Sequence, residues 1–443
     1  MHLTLLEGYG DEVVAAVFSE SAAVERWLAF ERALAAAQAE LGVIPGQAAA
    51  AIAAEAAADK VDLAALRERT RVVGYPILPL IEQIGAGCSS PVARYVHWGA
   101  TTQDVMDTGL AMAMRDVLVR AEELASTLGD ALASLADEHR LTVMPGRTHA
   151  RPAVPISFGG KVAVWLDELA RHLERLREAR RRAAVVQLFG AAGTAAAPGE
   201  HSAEIRRRVA ARLGLEVTDV PWHAERDRVA EAGFVLVATA ATCGKIAREV
   251  IELSRPELGE LSAEHESHHG ASSTMPQKQN PIDSEVVVGL SVLAAQQVPP
   301  LLAAMQPGDE RAAGEWHVEW DALPLVAAYA AGAVAGATGV VRALRVAPDR
   351  MRANLELEGG TVMAEALMMA AAPTLGRQRA HDLLYAAPAR ARDAGISLRA
   401  AVAGDDELAD AVGPLDDVLE PASYLGETDA IVTAALDRWA ATR

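Results

Sequence analysis

The sequence predicts an all-α protein built on long helices, and three observations lead to that reading. Hydrophobic residues make up 51% of the 443 residues but aromatics only 4%. Alanine supplies much of the apolar content, which favours helices that pack closely. Apolar residues recur at helical spacing along several extended stretches. No segment carries a strong strand signal.

The elements follow in chain order. Val24, Trp27, Leu28, Leu34 and Leu41 recur at helical spacing and predict a helix from Ser21 to about Leu41, stopped by Gly42 and Pro45. A second helical stretch runs from Gln47 to about Arg69, before a break at Gly74-Tyr75-Pro76. A long proline-free pattern covers Val105 to Arg140, and a loop follows from Met144 to Pro155. From Lys161 to Val186, Val162, Leu166, Leu169, Leu173 and Leu176 take the 4-3-4-3 spacing of a bundle. Further long helices read from Ala224 to Leu253 and from Pro281 to about Ala304.

Asp321 to Arg342 gives a fifth, uncharged between its ends and close to membrane-spanning length. It is dominated by Ala and Gly, has a proline near its start, and carries Gly332 and Gly336 four apart. A buried bundle helix fits this composition better than a membrane span. Past Ala347 the pattern returns to shorter helices, punctuated by Pro373, Gly376, Gly395, Gly404 and Pro414. Three helical domains are therefore expected: 1–96, a central five-helix bundle at 97–346, and 347–443.

The formal net charge of −19 argues against a nucleic-acid partner, which needs a basic stripe. It leaves room for an anionic substrate, because a few local Arg and Lys can dominate a site. Cys88 and Cys243 are in neither metal-type nor redox spacing, and the acidic MHLTLLEGYGDE start lacks a signal pattern. The expectation is a cytoplasmic protein with no membrane association.

Three segments could carry chemistry. Gly270 to Glu285, GASSTMPQKQNPIDSE, is a hydroxyl-rich loop ahead of a helix that Pro281 is suited to start. Backbone N–H groups and Lys278 would favour negative charge there, so a serine could act as a base. A flexible linker with incidental hydroxyls is the plainer reading of the composition. Gly146 to Pro155, GRTHARPAVP, places His149 in a proline-bounded loop, where a lone histidine is more often structural than catalytic. His97 to Thr108, HWGATTQDVMDT, offers Thr101, Thr102 and Gln103 either to a carboxylate or as caps of the next helix. His265-Glu266-Ser267-His268-His269 also fits HExxH. Gly270 follows at once and no third ligand is evident, so a loop hinge or site rim is preferred to zinc.

Taken together, the three segments resemble, in order and separation, the signature regions of the fumarase/aspartase superfamily. Gly270–Glu285 resembles its GSSxMPxKxNxxxxE signature, with Ala271 in place of a glycine. Within it, AVFSESAAVERWLAFERALAAAQAELGVIP, FGAAGTAAAPG, ERAAGEWHVEWDALP and LEPASYLG look like the 3-carboxy-cis,cis-muconate cycloisomerase branch. The neighbouring adenylosuccinate lyase branch shares HxGxTxxD and the MPxKxNP core, and nitrosuccinate lyase also looks related. Gln279 departs from the usual Arg, Arg151 from Gln, and Thr102 from Ser.

The resemblance implies a homotetramer whose active sites are shared among three subunits. It implies anti elimination or addition on a small polycarboxylate through an aci-carboxylate, without cofactor or metal. Ser272 would be the base, with Lys278 and Asn280 holding the carboxylate and Thr101, Thr102 and Ser273 as donors. His149 would serve the departing group on the opposite face, oriented by Glu285. Gly193 and Thr194, with Gln103, Thr148 and Met275, would line the pocket, and His97 and Arg311 would be anion contacts. A fumarate-releasing C–N lyase of nitrosuccinate or adenylosuccinate type is the alternative. A catalytically silent, crystallin-like structural tetramer is the alternative of another class.

Overall fold

The computed structural model describes residues 5–264 and 269–443. The helices follow the periodicity. Glu20–Glu40 begins at Ser19, whose side chain accepts the Ala22 N–H, one of the donors a helix start leaves unpaired. The long helices are Thr102–Glu138, Phe158–Ala183, Asp227–Leu253, Ile282–Ala295 and Glu315–Ala343. Contacts divide the chain into two units, one of residues 1–125, 172–241 and 289–335 and the other of 126–171, 242–288 and 336–443. Each long helix contributes residues to both.

Three expectations need correction. The stretch from Gln47 to Arg69 is not one helix. It divides into Gly46–Glu55, a short 3-10 turn, and Leu63–Val73, where Asp62 accepts the Ala64 and Ala65 N–H groups and starts a new helix. The helix expected from Pro281 to Ala304 breaks after Ala295 and restarts at Val298–Ala304, with prolines in its first turn. The Met144–Pro155 loop is instead an antiparallel hairpin, β1 (Val143–Thr148) with β2 (Arg151–Ser157). A second pair joins Leu261–Ala263 to Leu344–Val346.

In the first unit, Val24, Leu28, Ile44, Ile52, Leu66, Leu80 and Ile84 form an N-terminal core against Trp27 and Tyr95. Deeper, Arg226 is buried between two carboxylates. It donates to Asp107 at 2.8 and 3.1 Å and to Glu319 at 2.9 Å, while Trp316 Nε1 reaches Asp107 at 3.1 Å. Burial pushes the Glu319 carboxyl up, against the hydrogen bond and charge of Arg226. Charges this deep persist only when paired and hydrogen-bonded.

In the second unit, fully buried Glu260 receives both ends of the Arg147 guanidinium, at 2.6 and 2.9 Å, and Asn354 Nδ2 at 2.8 Å. This fastens β1 to the backbone beside Leu261–Ala263. Leu367, Leu384, Leu398, Val402 and Leu408 pack a C-terminal core.

Asp227–Leu253, Ile282–Ala304 and Glu315–Ala343 are long and apolar enough to cross a membrane by length and composition. The most apolar windows of the first and third are 72% and 61% buried inside the protein, whereas that of Ile282–Ala304 is only 28% buried.

Candidate active site

The Gly270–Asn280 loop is closed at its base. The Asn280 N–H and side-chain amide both donate to the Gly270 carbonyl, at 3.0 and 2.9 Å, and Ala271 bridges Gln279. Gly270 has φ +67°, and a Cβ there would lie 2.4 Å from the Asn280 carbonyl oxygen, so only glycine fits. Within the loop, Ser272 Oγ accepts the N–H groups of Met275 at 3.1 Å and Thr274 at 3.3 Å. Two donors converging on a hydroxyl oxygen favour its deprotonated form. Ser273, Met275 and Lys278 are exposed.

Lys278 and Asn280 line a cavity of about 420 Å³ with Arg255, Asp283, Ser284 and Glu285. His269 Nε2 sits 3.0 Å from Asp283, in the first turn of the following helix. His265, Glu266, Ser267 and His268 of the HExxH match lie outside the described residues.

His149 is at the tip of the hairpin. Thr148 pairs with Arg151, leaving a two-residue turn of His149 and Ala150, with φ +49° and +62°. Positive φ at both central positions is the type I′ geometry, usually built from Asn and Gly. Here it presents Thr148 and His149 exposed. Among the described residues His149 forms no ion pair with Glu285, which is exposed on its own helix; the expected acid pair is not made within one chain.

The other candidates belong to the first unit and are organised by Asp104. This buried carboxylate accepts the N–H groups of Thr101 (3.0 Å), Phe189 (3.0 Å) and Gly190 (2.9 Å), and meets His223 Nε2 at 2.9 Å. It thereby holds the start of the Thr102–Glu138 helix beside the loop bearing Gly193 and Thr194. Arg311 reaches the same place, donating to the Ala191 carbonyl at 2.9 Å and Thr101 Oγ at 3.3 Å. Thr101 and Thr102 are half-buried, Thr194 exposed.

Gln103 turns inward instead. It is fully buried, and its Nε2 donates to Asp107 and to the His223 carbonyl, both at 3.0 Å. Its Nε2 braces the core, while its Oε1 is buried without a hydrogen-bond partner. His97, in the left-handed region at φ +58°, places Nδ1 2.6 Å from buried Glu31. Sequence reasoning missed Glu31, Asp104 and His223. Asp104 was within reach, since it stands in HxGxTxxD; Glu31 and His223 carry no local signal.

Fold and signature loops define an enzyme of the lyase and cycloisomerase class on an all-helical frame. Residues 9–296 match the family model described as Lyase, and residues 360–435 that of adenylosuccinate lyase C-terminus. The chain belongs to this lyase family, within the fumarase/aspartase superfamily. It is 40% identical to the 3-carboxy-cis,cis-muconate cycloisomerase of Pseudomonas aeruginosa over 426 residues, 95% of this chain and 93% of that one. It is 35% identical to the N-acetyl-S-(2-succino)cysteine lyase of Dickeya dadantii, covering 96% and 94% of the two chains. The crystal structure of the 3-carboxy-cis,cis-muconate lactonizing enzyme from Pseudomonas putida aligns with a TM-score of 0.92 at 34% identity, covering both chains fully.

Proposed function

We propose that this enzyme interconverts a 3-carboxymuconate-type polycarboxylate and its lactone, with Ser272 handling the proton on the carbon next to a carboxylate. The observation that carries the reading is the pair of N–H groups converging on Ser272 Oγ in a loop that also bears Lys278. In the lactonising direction a carboxylate oxygen of the substrate adds to one alkene carbon. The electron pair of the double bond moves into the neighbouring carboxylate, giving an aci-carboxylate. Ser272 then delivers a proton to the carbon between them. In reverse, Ser272 removes that proton and the C–O bond breaks. Lys278, with the spare amide proton of Asn280, offsets the charge as it develops.

The hydroxyls of Ser273, Thr101 and Thr102 add donors, with Gly193, Thr194, Thr148 and Met275 around the substrate and His97 and Arg311 as anion contacts. These groups come from both units. We infer that they meet in a homotetramer whose sites draw on three subunits. The thinly covered Ile282–Ala304 stretch supports such packing, and His149 and Glu285 would pair between copies.

One observation favours a second reading, a fumarate-releasing lyase. His149 is held out on a strained turn, suited to hydrogen-bond a departing group, which lactonisation does not have. Gln279 removes a cation that a phosphate-bearing substrate would use, so adenylosuccinate ranks below smaller polycarboxylates.

The test is a substrate panel of 3-carboxymuconate, nitrosuccinate, argininosuccinate and adenylosuccinate, with product identification and with EDTA present throughout. Turnover of 3-carboxymuconate to lactone by a tetramer, unaffected by chelation, is expected. Cleavage of adenylosuccinate with kcat/KM above about 10⁴ M⁻¹s⁻¹ overturns the ranking. A fully active monomer removes the composite site.

A further inference from the structure

The burial of Glu31 makes it an anomaly. It is a carboxylate in the run AFERALAAAQ, on the inward side of Glu20–Glu40, and only 1% of the residue is exposed. A buried carboxylate needs a partner, and Glu31 has one: its Oε1 is 2.6 Å from His97 Nδ1. Its Oε2 is buried with no hydrogen-bond partner. Among the described residues His97 Nε2 also has none. The turn around His97 is held independently, because Gln38, on the same helix as Glu31, donates to the Trp98 carbonyl at 2.6 Å. Position therefore does not require an ionised carboxylate here; the carboxylate supplies charge.

We propose that Glu31 is a positioning residue that keeps His97 cationic, with Nδ1 occupied and Nε2 available to a substrate carboxylate beside Thr101 and Arg311. The proposal deepens the functional reading above and rests on it for the identity of that carboxylate.

The groups around His97 agree with this role. Glu31 faces it from Glu20–Glu40 and Asp104 from Thr102–Glu138. Asp104 is itself held by His223 and three backbone N–H groups, and buried Arg206 lies within reach of its field. Burial works against charge on the imidazole, but the charge and hydrogen bond of Glu31, with the charge of Asp104, outweigh it and raise its pKa. The sign follows: His97 keeps its charge to higher pH than an ordinary histidine and loses it as pH rises through that raised value. With Glu31 neutral, the main support against burial is lost and His97 gives up its charge at lower pH than in wild type.

Glu31→Gln tests this, since the amide oxygen can still accept from Nδ1–H while the charge is gone. The probe is fumarate, a plain dianion, whose binding to the assembled protein is measured by calorimetry near pH 6 and pH 8. Wild type should lose less affinity between the two than Glu31→Gln does. Glu31→Gln should bind about tenfold more weakly near pH 8 and recover to within about threefold near pH 6, where the imidazole regains its proton. Glu31→Asp should restore much of the affinity near pH 8. His97→Gln should bind weakly with no pH dependence.

A purely structural Glu31 would give equal weakening at both pH values; that result, or wild-type affinity in Glu31→Gln near pH 8, overturns the proposal. Absence of fumarate binding by wild type overturns it too. Failure of the substrate reading shows separately, as no turnover of 3-carboxymuconate by a wild type whose fumarate binding still responds to Glu31.

Discussion

Replacing Arg226 with Met keeps the stem of the side chain and removes the cation between Asp107 and Glu319. Asp107 retains Gln103 Nε2 at 3.0 Å and Trp316 Nε1 at 3.1 Å. Glu319 loses the partner that held both of its oxygens, in a position where its side chain is 1% exposed. The least costly response is for Glu319 to take up a proton. Holding a carboxyl of unfolded pKa about 4.3 protonated at pH 7 costs about 4 kcal/mol, at about 1.4 kcal/mol per pH unit. That figure lies within the range of about 3–5 kcal/mol for breaking a buried pair from one side. The sign is fixed by the direction of the shift. Burial already raises Glu319 in wild type and removing Arg226 raises it further, so the deficit relative to wild type is absent below about pH 4, grows as pH rises and does not exceed that figure.

Urea unfolding of wild type and Arg226→Met should therefore differ by up to about 4 kcal/mol at pH 7 and by less than about 2 kcal/mol at pH 5.5. Adding Glu319→Gln should recover part of the loss at pH 7. A gap that is constant with pH, or one below about 1 kcal/mol, refutes the argument.

Two further predictions concern the serine loop. Ser272→Ala should change stability by no more than about 1 kcal/mol and lower kcat by a factor on the order of 10² or more, with Ser273→Ala costing less; an inactive Ser273→Ala beside an active Ser272→Ala means that the wrong serine has been assigned. Gly270→Ala forces a methyl group to within 2.4 Å of the Asn280 carbonyl oxygen at a positive φ; it should open the base of the loop and reduce turnover while thermal unfolding shows the helices intact, and undiminished kcat would mean that closure is irrelevant.

The helical frame was legible because apolar side chains at 3.6-residue spacing must face a core, so Val162, Leu166, Leu169, Leu173 and Leu176 place their helix directly; all five are buried. The hairpin was not legible, and the prolines are the reason. Pro145 and Pro155 fall directly opposite each other in β1 and β2. Neither has an N–H to offer, so they can face each other only at a non-hydrogen-bonded pair, where none is needed. On the sequence alone they read as loop residues. The candidate loop was legible because its motif is local, and Ser272 and Lys278 do fall in one loop closed at Gly270 and Asn280. Glu31 and His223 escaped because their partners, His97 and Asp104, are 66 and 119 residues away.

The turn beneath His149 has a consequence for how this protein tolerates change. His149 and Ala150 both occupy backbone conformations that an L side chain enters at a penalty of about 1–2 kcal/mol per residue. Ala150→Gly removes that penalty, so a selection for heat resistance alone should find it readily and raise stability by up to about 1 kcal/mol. The same glycine widens the range of directions in which the neighbouring imidazole can be carried. Thermal robustness and the aim of His149 are thus set against each other at one residue, and the sequence has kept the less stable choice.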